Sequence, residues 1–321
     1  MNAGAQLSAQ RSALLLLRTP FHAWVAQQVL RAEGVARFDL VYFTQNDSAE
    51  DRHYFKQLST AAQNAQYCYA PARRFDILGH VDFHRQTRPW HADQGHDLTL
   101  LASINSPVLN AIASRQANSE WVTFDDGLAN IMPTGMYQMD NASWRNRFYR
   151  GCLGATALAC TKARIARHYT LYGAFSNIVE PGRLRRLQGW SRAGVATGGS
   201  DATKTYFLGQ PFQEVLSPLQ IGALETHLRT MAIDFYVRHP RERKILDIGA
   251  PFLDKQGHIA EDAIVRHAGR AAVHLVGWFS TVLFNLGNVA QRRTMLLLGT
   301  DPGTPRMAEM ARKAGCEVVI L

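Results

Sequence analysis

Tyr236-Val237-Arg238-His239-Pro240-Arg241-Glu242-Arg243 reads as the end of a short β-strand running into a turn. Upstream Ile233 and Phe235 join Val237 in the two-residue period of a strand, and Pro240 lacks the N–H that a central ladder needs. The strand therefore stops at the His239-Pro240 step, which puts an imidazole at its tip beside several guanidinium groups. Ligands of open, mainly parallel α/β sheets bind in the crevice outside the carboxyl ends of the strands. A histidine there can give a proton or a hydrogen bond to a departing anion. A solvated loop would accept the same residues, so the stretch needs company before it means anything.

Working outward, apolar strand-like runs recur at residues 14–17, 38–43, 98–102, 121–124, 205–208, 235–237, 272–276, 295–298 and 317–321. Helical patterns lie between many of them, for example at 23–33, 218–231 and 304–314. That alternation predicts an α/β chain with mainly parallel sheets. The 321 residues, 46% hydrophobic and 19% charged, suffice for one large or two medium cores, and two fit better. The weakest patterning, residues 189–204 with Gly194, Gly198 and Gly199, reads as a linker. It sets the expected domains at 1–195 and 196–321.

Two further segments end strand-like runs with chemistry. Trp121-Val122-Thr123-Phe124 leads into Asp125-Asp126-Gly127. Successive strand side chains point opposite ways, so one carboxylate can face a cleft while the other binds turn amides that Gly127 permits. An ordinary Asp-Gly turn has the same sequence. Residues 272–276 lead into Gly277-Trp278-Phe279-Ser280-Thr281 and a helix-like run. Two hydroxyls with their amides there suit an anion, or simply a helix cap.

In this order the segments resemble glycosyltransferase family 52, the bacterial lipooligosaccharide sialyltransferases. The likeness runs from Arg18-Thr19-Pro20-Phe21-His22 through Thr123-Phe124-Asp125-Asp126-Gly127-Leu128-Ala129-Asn130-Ile131, His168-Tyr169-Thr170-Leu171-Tyr172 and Phe207-Leu208-Gly209-Gln210-Pro211 to His239-Pro240-Arg241-Glu242 and Ser280-Thr281. It implies a GT-B architecture, two Rossmann-like domains facing across a cleft. It also implies inverting, metal-independent transfer of sialic acid from CMP-sialic acid to a galactose-type hydroxyl of a lipooligosaccharide or capsule glycan, with no cofactor.

By the same resemblance, His239 is the acid facing the donor phosphate, Ser280 and Thr281 hold that phosphate, and Glu261 receives the ribose hydroxyls. Arg238, Pro240 and Arg241 complete the nucleotide-sugar set. For the base, Asp125 in its pair with Asp126 and Glu214 are rivals, and Glu214 stands where the family has an aspartate. The family also contains glucosyltransferases, so a hexose donor is the alternative within enzymes. A catalytically silent GT-B-like binding protein is the alternative outside them.

A net charge of +9, with clusters at Arg145, Arg147, Arg150 and at Arg183, Arg185, Arg186, suits an anionic membrane surface or an acidic glycolipid. Nucleic acid is disfavoured, because the basic runs are short and no recognition module accompanies them. No run approaches the roughly 20 apolar residues that span a bilayer, nor is there a signal-peptide core. The expected place is the cytoplasm, peripheral to the inner face of the bacterial inner membrane, and the resemblance suggests a homodimer. Cys68, Cys152, Cys160 and Cys316 have no paired spacing and are expected reduced. His80, Asp82, His84, His91, Asp93, His96 and Asp97 have the residue types of a metal site, but Pro89, Trp90 and Gly95 among them indicate an irregular surface loop.

Overall fold

The computed structural model describes residues 11–70, 85–138, 144–191 and 202–321. The chain divides into two compact units, Met1–Leu187 and Gln188–Leu321. The boundary expected between 195 and 196, and the glycine run around it, lie outside the described residues.

The first unit contains β1 (Ser12–Leu17), α1 (Pro20–Ala32), β2 (Arg37–Thr44), α2 (Ala49–Ser59), β3 (Asn64–Tyr69), β4 (Leu98–Leu101), α3 (Pro107–Ser114), β5 (Glu120–Phe124), α4 (Trp144–Leu153), α5 (Leu158–Arg164), β6 (Ile165–Thr170) and β7 (Leu184–Arg186). Its parallel sheet has the order β3-β2-β1-β4-β5-β6-β7. That is the doubly wound order whose direction reverses between β1 and β4. Leu14 through Leu17 are all buried because helices cover both faces of such a sheet, which is why the strand reads as a solid apolar run. Thr19 ends the strand and caps α1, its side chain accepting from the His22 amide at 3.2 Å, while Pro20 supplies a preset φ in the first turn. The Thr-Pro pair thus starts α1 next to the reversal and fixes where His22 lies.

The second unit contains β8 (Thr203–Leu208), α6 (Pro218–Arg229), β9 (Phe235–Val237), α7 (Ala260–Ala268), β10 (Ala272–Gly277), α8 (Thr281–Asn285), β11 (Arg292–Leu297), α9 (Thr304–Lys313) and β12 (Glu317–Ile320). Its parallel order, β12-β11-β10-β8-β9, is the other common doubly wound arrangement, reversing between β8 and β10. Phe207 lies at the centre of the core, stacked on Phe212 at 6.2 Å and edge-on to Tyr236 at 5.1 Å. Full burial of each such ring is worth about 1.5–3 kcal/mol, so this cluster pins the loop after β8 and the strand that ends at Val237, two residues before His239.

All nine expected strands form, as do the three example helices. β3, β6 and β7 were not expected: β3 buries only Cys68 and mixes in Asn64 and Gln66, β6 carries Arg167 and His168 inside it, and β7 has only three residues. Among the described residues no helix is long and apolar enough to cross a membrane.

Candidate active site

In the first unit, Leu16 pairs with Leu101 and Leu101 with Thr123, so the chain leaves β1, β4 and β5 side by side at one edge. Past those pairs, His22, Ser103 and Asp126 converge. His22 Nε2 lies 2.7 Å from Asp126 Oδ1, and the Ser103 and Tyr137 hydroxyls donate to Oδ2 at 2.7 and 2.5 Å. The Arg18 amide donates to His22 Nδ1 at 3.3 Å, leaving Nε2 as the nitrogen that donates to the carboxylate. His22, Ser103 and Tyr137 are buried, whereas the Asp126 side chain is 26% exposed. Burial pushes the Asp126 carboxyl up, but the attraction of the His22 ring and the hydrogen bonds from His22, Tyr137 and Ser103 outweigh it and hold the group well below the usual carboxylate range. Ser103 takes φ +33, a left-handed conformation that costs a non-glycine residue about 1–3 kcal/mol and that surrounding structure must impose.

Asp125 points the opposite way and is fully buried. Its Oδ1 lies 3.1 Å from His168 Nε2, its Oδ2 accepts from the Leu171 amide at 2.6 Å, and His168 Nδ1 meets the Thr123 hydroxyl at 2.8 Å. The two aspartates do point opposite ways, with Asp126 the outward one, but the inward carboxylate binds His168 and the Leu171 amide rather than amides of the Gly127 turn. Both oxygens of Asp125 are engaged inside the fold, by His168 and the Leu171 amide, whereas Glu214, its rival as base, is 44% exposed.

In the second unit, Leu208 pairs with Val237 on one side and Gly277 on the other, so the loops after β8, β9 and β10 leave the same edge as neighbours. Adjacent strands are about 4.8 Å apart, which keeps all three loops within reach of one small anion. His239 follows two residues after Val237, and its Nδ1 accepts from the Arg241 amide at 3.1 Å, placing the proton of the neutral ring on Nε2. The Arg241 guanidinium donates to Glu214 Oε2 at 3.1 Å, tying the loop after β8 to the loop after β9. Both partners of that pair are about half exposed.

Buried Glu242 accepts from the Tyr236 hydroxyl and from the His239 amide, the latter at 3.3 Å, and burial raises its carboxyl pKa. Gly209 makes room for it: a Cβ there would come within 2.5 Å of Glu242 Oε2. Ser280, buried, and Thr281, half-buried, open α8, which has only five residues, so hydroxyls and local amides rather than a long helix dipole would meet an anion there. Glu261 is buried in the first turn of α7, where its Oε1 accepts from Asn285 Nδ2 at 2.7 Å. That bond joins α7 to the end of the helix that Ser280 and Thr281 begin; burial raises the Glu261 pKa. Arg238 is exposed with its guanidinium 5.6 Å from the centre of the Phe252 ring, and Pro240 is exposed.

The sequence profile of glycosyltransferase family 52 matches residues 36–300. The chain belongs to glycosyltransferase family 52. It is 24% identical over 295 residues to a CMP-N-acetylneuraminate:beta-galactoside alpha-2,3-sialyltransferase of Pasteurella multocida, covering 91% of this chain and 92% of that one. It is also 24% identical over 276 residues to an N-acetyllactosaminide alpha-2,3-sialyltransferase of Haemophilus influenzae, covering 85% of this chain and 88% of the other. Among solved structures, the glycosyltransferase SnogD from Streptomyces nogalater aligns with a TM-score of 0.50 at 13% identity, covering 97% of this chain and 88% of that one, which shows the fold alone.

The protein is thus a glycosyltransferase with the two Rossmann-like units of the GT-B architecture. In this family 52 glycosyltransferase, His239, Arg241 and Glu214 meet on one edge, and Ser280 and Thr281 follow the strand two places away. Asp125, Asp126 and their partners belong to the other unit. Reading the sequence missed Ser103, Tyr137 and Glu242 as parts of these edges, and gave His22 no role. A positive φ at Ser103 has no sequence signature, whereas Glu242 sits inside the quoted motif and could have been suspected. Of the histidine and aspartate run, His96 bonds Asp39 at 3.0 Å, Asp97 accepts from Ser12, and Asp93 accepts from the Gly95 and Ala117 amides. His80, Asp82 and His84 lie outside the described residues. Among the described residues no three His, Cys, Asp or Glu side chains are grouped to hold a metal ion.

Proposed function

We propose that this glycosyltransferase moves sialic acid from CMP-sialic acid to a galactose-type hydroxyl of a lipooligosaccharide or capsule glycan, with inversion and without a metal. The observation that carries the reading is Arg241, which bridges Glu214 to the loop of His239 on the edge shared with Ser280. It brings a carboxylate and an imidazole to one place on neighbouring strands. Glu214 takes the acceptor hydroxyl proton as the new bond to the anomeric carbon forms and the bond to the CMP oxygen breaks. His239 gives a proton to that leaving oxygen, while Ser280, Thr281, Arg238 and Arg241 donate hydrogen bonds to the phosphate as its charge develops. Glu261 receives the ribose hydroxyls, and Pro240 restricts the loop after β9 in which His239 faces the donor. The names of the relatives from Pasteurella multocida and Haemophilus influenzae support the choice of donor and acceptor.

The exposed face of α4 supports a peripheral position on anionic lipid at the inner face of the inner membrane. Trp144, Arg147, Phe148, Gly151 and Cys152 lie one and two turns apart along it, all exposed, with Trp144 at 72% and Phe148 at 70%. Arg150, expected in that cationic cluster, is instead buried and donates to the carbonyls of Asn105 and Thr156. A homodimer is the expected assembly.

The test offers purified protein CMP-sialic acid, UDP-glucose or UDP-galactose with lactose as acceptor, with and without EDTA. Sialyllactose and CMP are expected, undiminished by EDTA. Turnover of a UDP-hexose with none of CMP-sialic acid overturns the donor, and binding of CMP without any turnover makes the protein a silent binder.

A further inference from the structure

The carboxylate of Asp126 is held in a manner unsuited to taking up a proton and well suited to receiving a hydroxyl. An ionised carboxylate has about four lone-pair positions. Three are filled from inside the first unit, by His22 Nε2 on Oδ1 and by the Ser103 and Tyr137 hydroxyls on Oδ2. What remains lies on Oδ1, and the side chain as a whole is 26% exposed. Every interior donor favours the charged form, so the site resists protonation. The three donors are themselves buried, and Ser103 is kept at φ +33 to deliver its hydroxyl. The group stands at the carboxyl edge of β5, one strand from the reversal between β1 and β4, where doubly wound sheets bind ligands.

A fixed negative charge repels the phosphate and carboxylate of a sialyl donor but attracts the O–H of a neutral sugar. We infer that Asp126 is a binding site for a hydroxyl of the acceptor sugar, and that His22, Ser103 and Tyr137 are positioning residues that hold its carboxylate ready. This inference rests on the sialyl-transfer reading above and adds to it the subsite that recognises the acceptor.

Steady-state kinetics with lactose and CMP-sialic acid test it. Asp126→Asn is expected to raise the lactose KM about tenfold or more, with kcat within about threefold of wild type and the CMP-sialic acid KM unchanged. A kcat loss of a hundredfold at unchanged lactose KM would make Asp126 the base and overturn the inference, as would unchanged kinetics. Tyr137→Phe keeps the carboxylate but removes one interior donor, and it decides the matter if the first variant fails to fold. Its lactose KM should rise less and should climb further toward acid pH, where the less supported carboxylate protonates, while wild type stays flat. A lowered Tm with a wild-type lactose KM across pH would assign these residues to the fold alone. Wild-type protein that ignores CMP-sialic acid sinks the parent reading and this one with it, whereas normal wild-type transfer with an unaltered lactose KM in both variants sinks only this one.

Discussion

The two sheets are wound by the same rules and carry polar groups on the same edge, yet they hold them in opposite ways. In the first unit, Asp125 and Asp126 are locked by buried partners: His168 and the Leu171 amide on one, His22, Ser103 and Tyr137 on the other. In the second, Glu214, Arg241 and His239 reach one another through single contacts of 3.1 Å, and the Glu214–Arg241 pair is half in water. On the reading proposed above, the contrast follows from what each edge would bind. A neutral sugar brings little attraction of its own, so its acceptor group must be positioned in advance. A nucleotide phosphate brings charge, so exposed cations can gather around it as it arrives.

The widest separation between the edges is expected in turnover. His239→Ala should cut kcat by about a hundred- to ten-thousand-fold with little change in donor KM, and Glu214→Gln should do the same, because general acid and base help is felt in the transition state. Both side chains lie on partly exposed loops, so Tm should barely move. If His239→Ala raised the CMP-sialic acid KM alone, the leaving-group role would be lost.

The next effect is on stability rather than rate. Asp125→Ala strips the partner from buried His168 and leaves the Leu171 amide unpaired; each buried group left without its partner costs about 1–3 kcal/mol. Urea unfolding should show that loss, while the folded fraction keeps most of its turnover. A variant as stable as wild type but inactive would instead restore Asp125 as base and undo the contrast.

Most of the fold was legible, because buried parallel strands such as residues 14–17 and 295–297 are solid apolar runs between Thr-Pro, Ser-Pro and Asp-Gly punctuation. β6 was not, since Arg167 and His168 interrupt it; one reaches Glu33 and Glu120 and the other Asp125, partners distant in sequence. The second edge was readable for a related reason. Its groups stand on loops that directly follow three strands, so sequence position nearly gives spatial position. The first edge was only half readable: the Asp-Asp-Gly turn declares two carboxylates, but which one turns inward depends on His168, 43 residues away. Tyr137 and Ser103 lack any local pattern that would connect them to Asp126.

Acidity should act on the two edges in opposite directions, weakening the hold on Asp126 and favouring that on Glu261. Asp126 has a lowered pKa, so its contribution to stability is complete above the ordinary value of 3.8 and is lost as pH falls through its folded value. Glu261 has a raised pKa, so its contribution is complete below the ordinary value of 4.5 and is lost as pH rises through its folded value. The stability difference between wild type and Asp126→Asn should therefore shrink as pH drops below 3.8, and that between wild type and Glu261→Gln should shrink as pH climbs above 4.5. Unfolding curves from about pH 3 to pH 8 measure both. Parallel slopes for the two variants would mean that the carboxylates are held alike.

The smallest effect concerns the strain stored at Ser103. Ser103→Ala loses the hydrogen bond to Asp126 and keeps a backbone at φ +33 that alanine dislikes, whereas Ser103→Gly loses the same bond and adopts that φ without penalty. Glycine is ordinarily less stabilising than alanine through its greater freedom when unfolded. Here the order should invert, with the glycine variant more stable by about 0.5–1 kcal/mol, a difference that thermal unfolding resolves. Both variants should raise the lactose KM to a similar extent, because the lost hydroxyl is common to them and only the backbone term differs. An alanine variant as stable as the glycine one would mean that the turn at Ser103 relaxes freely, and the first edge would then be no more preorganised than the second.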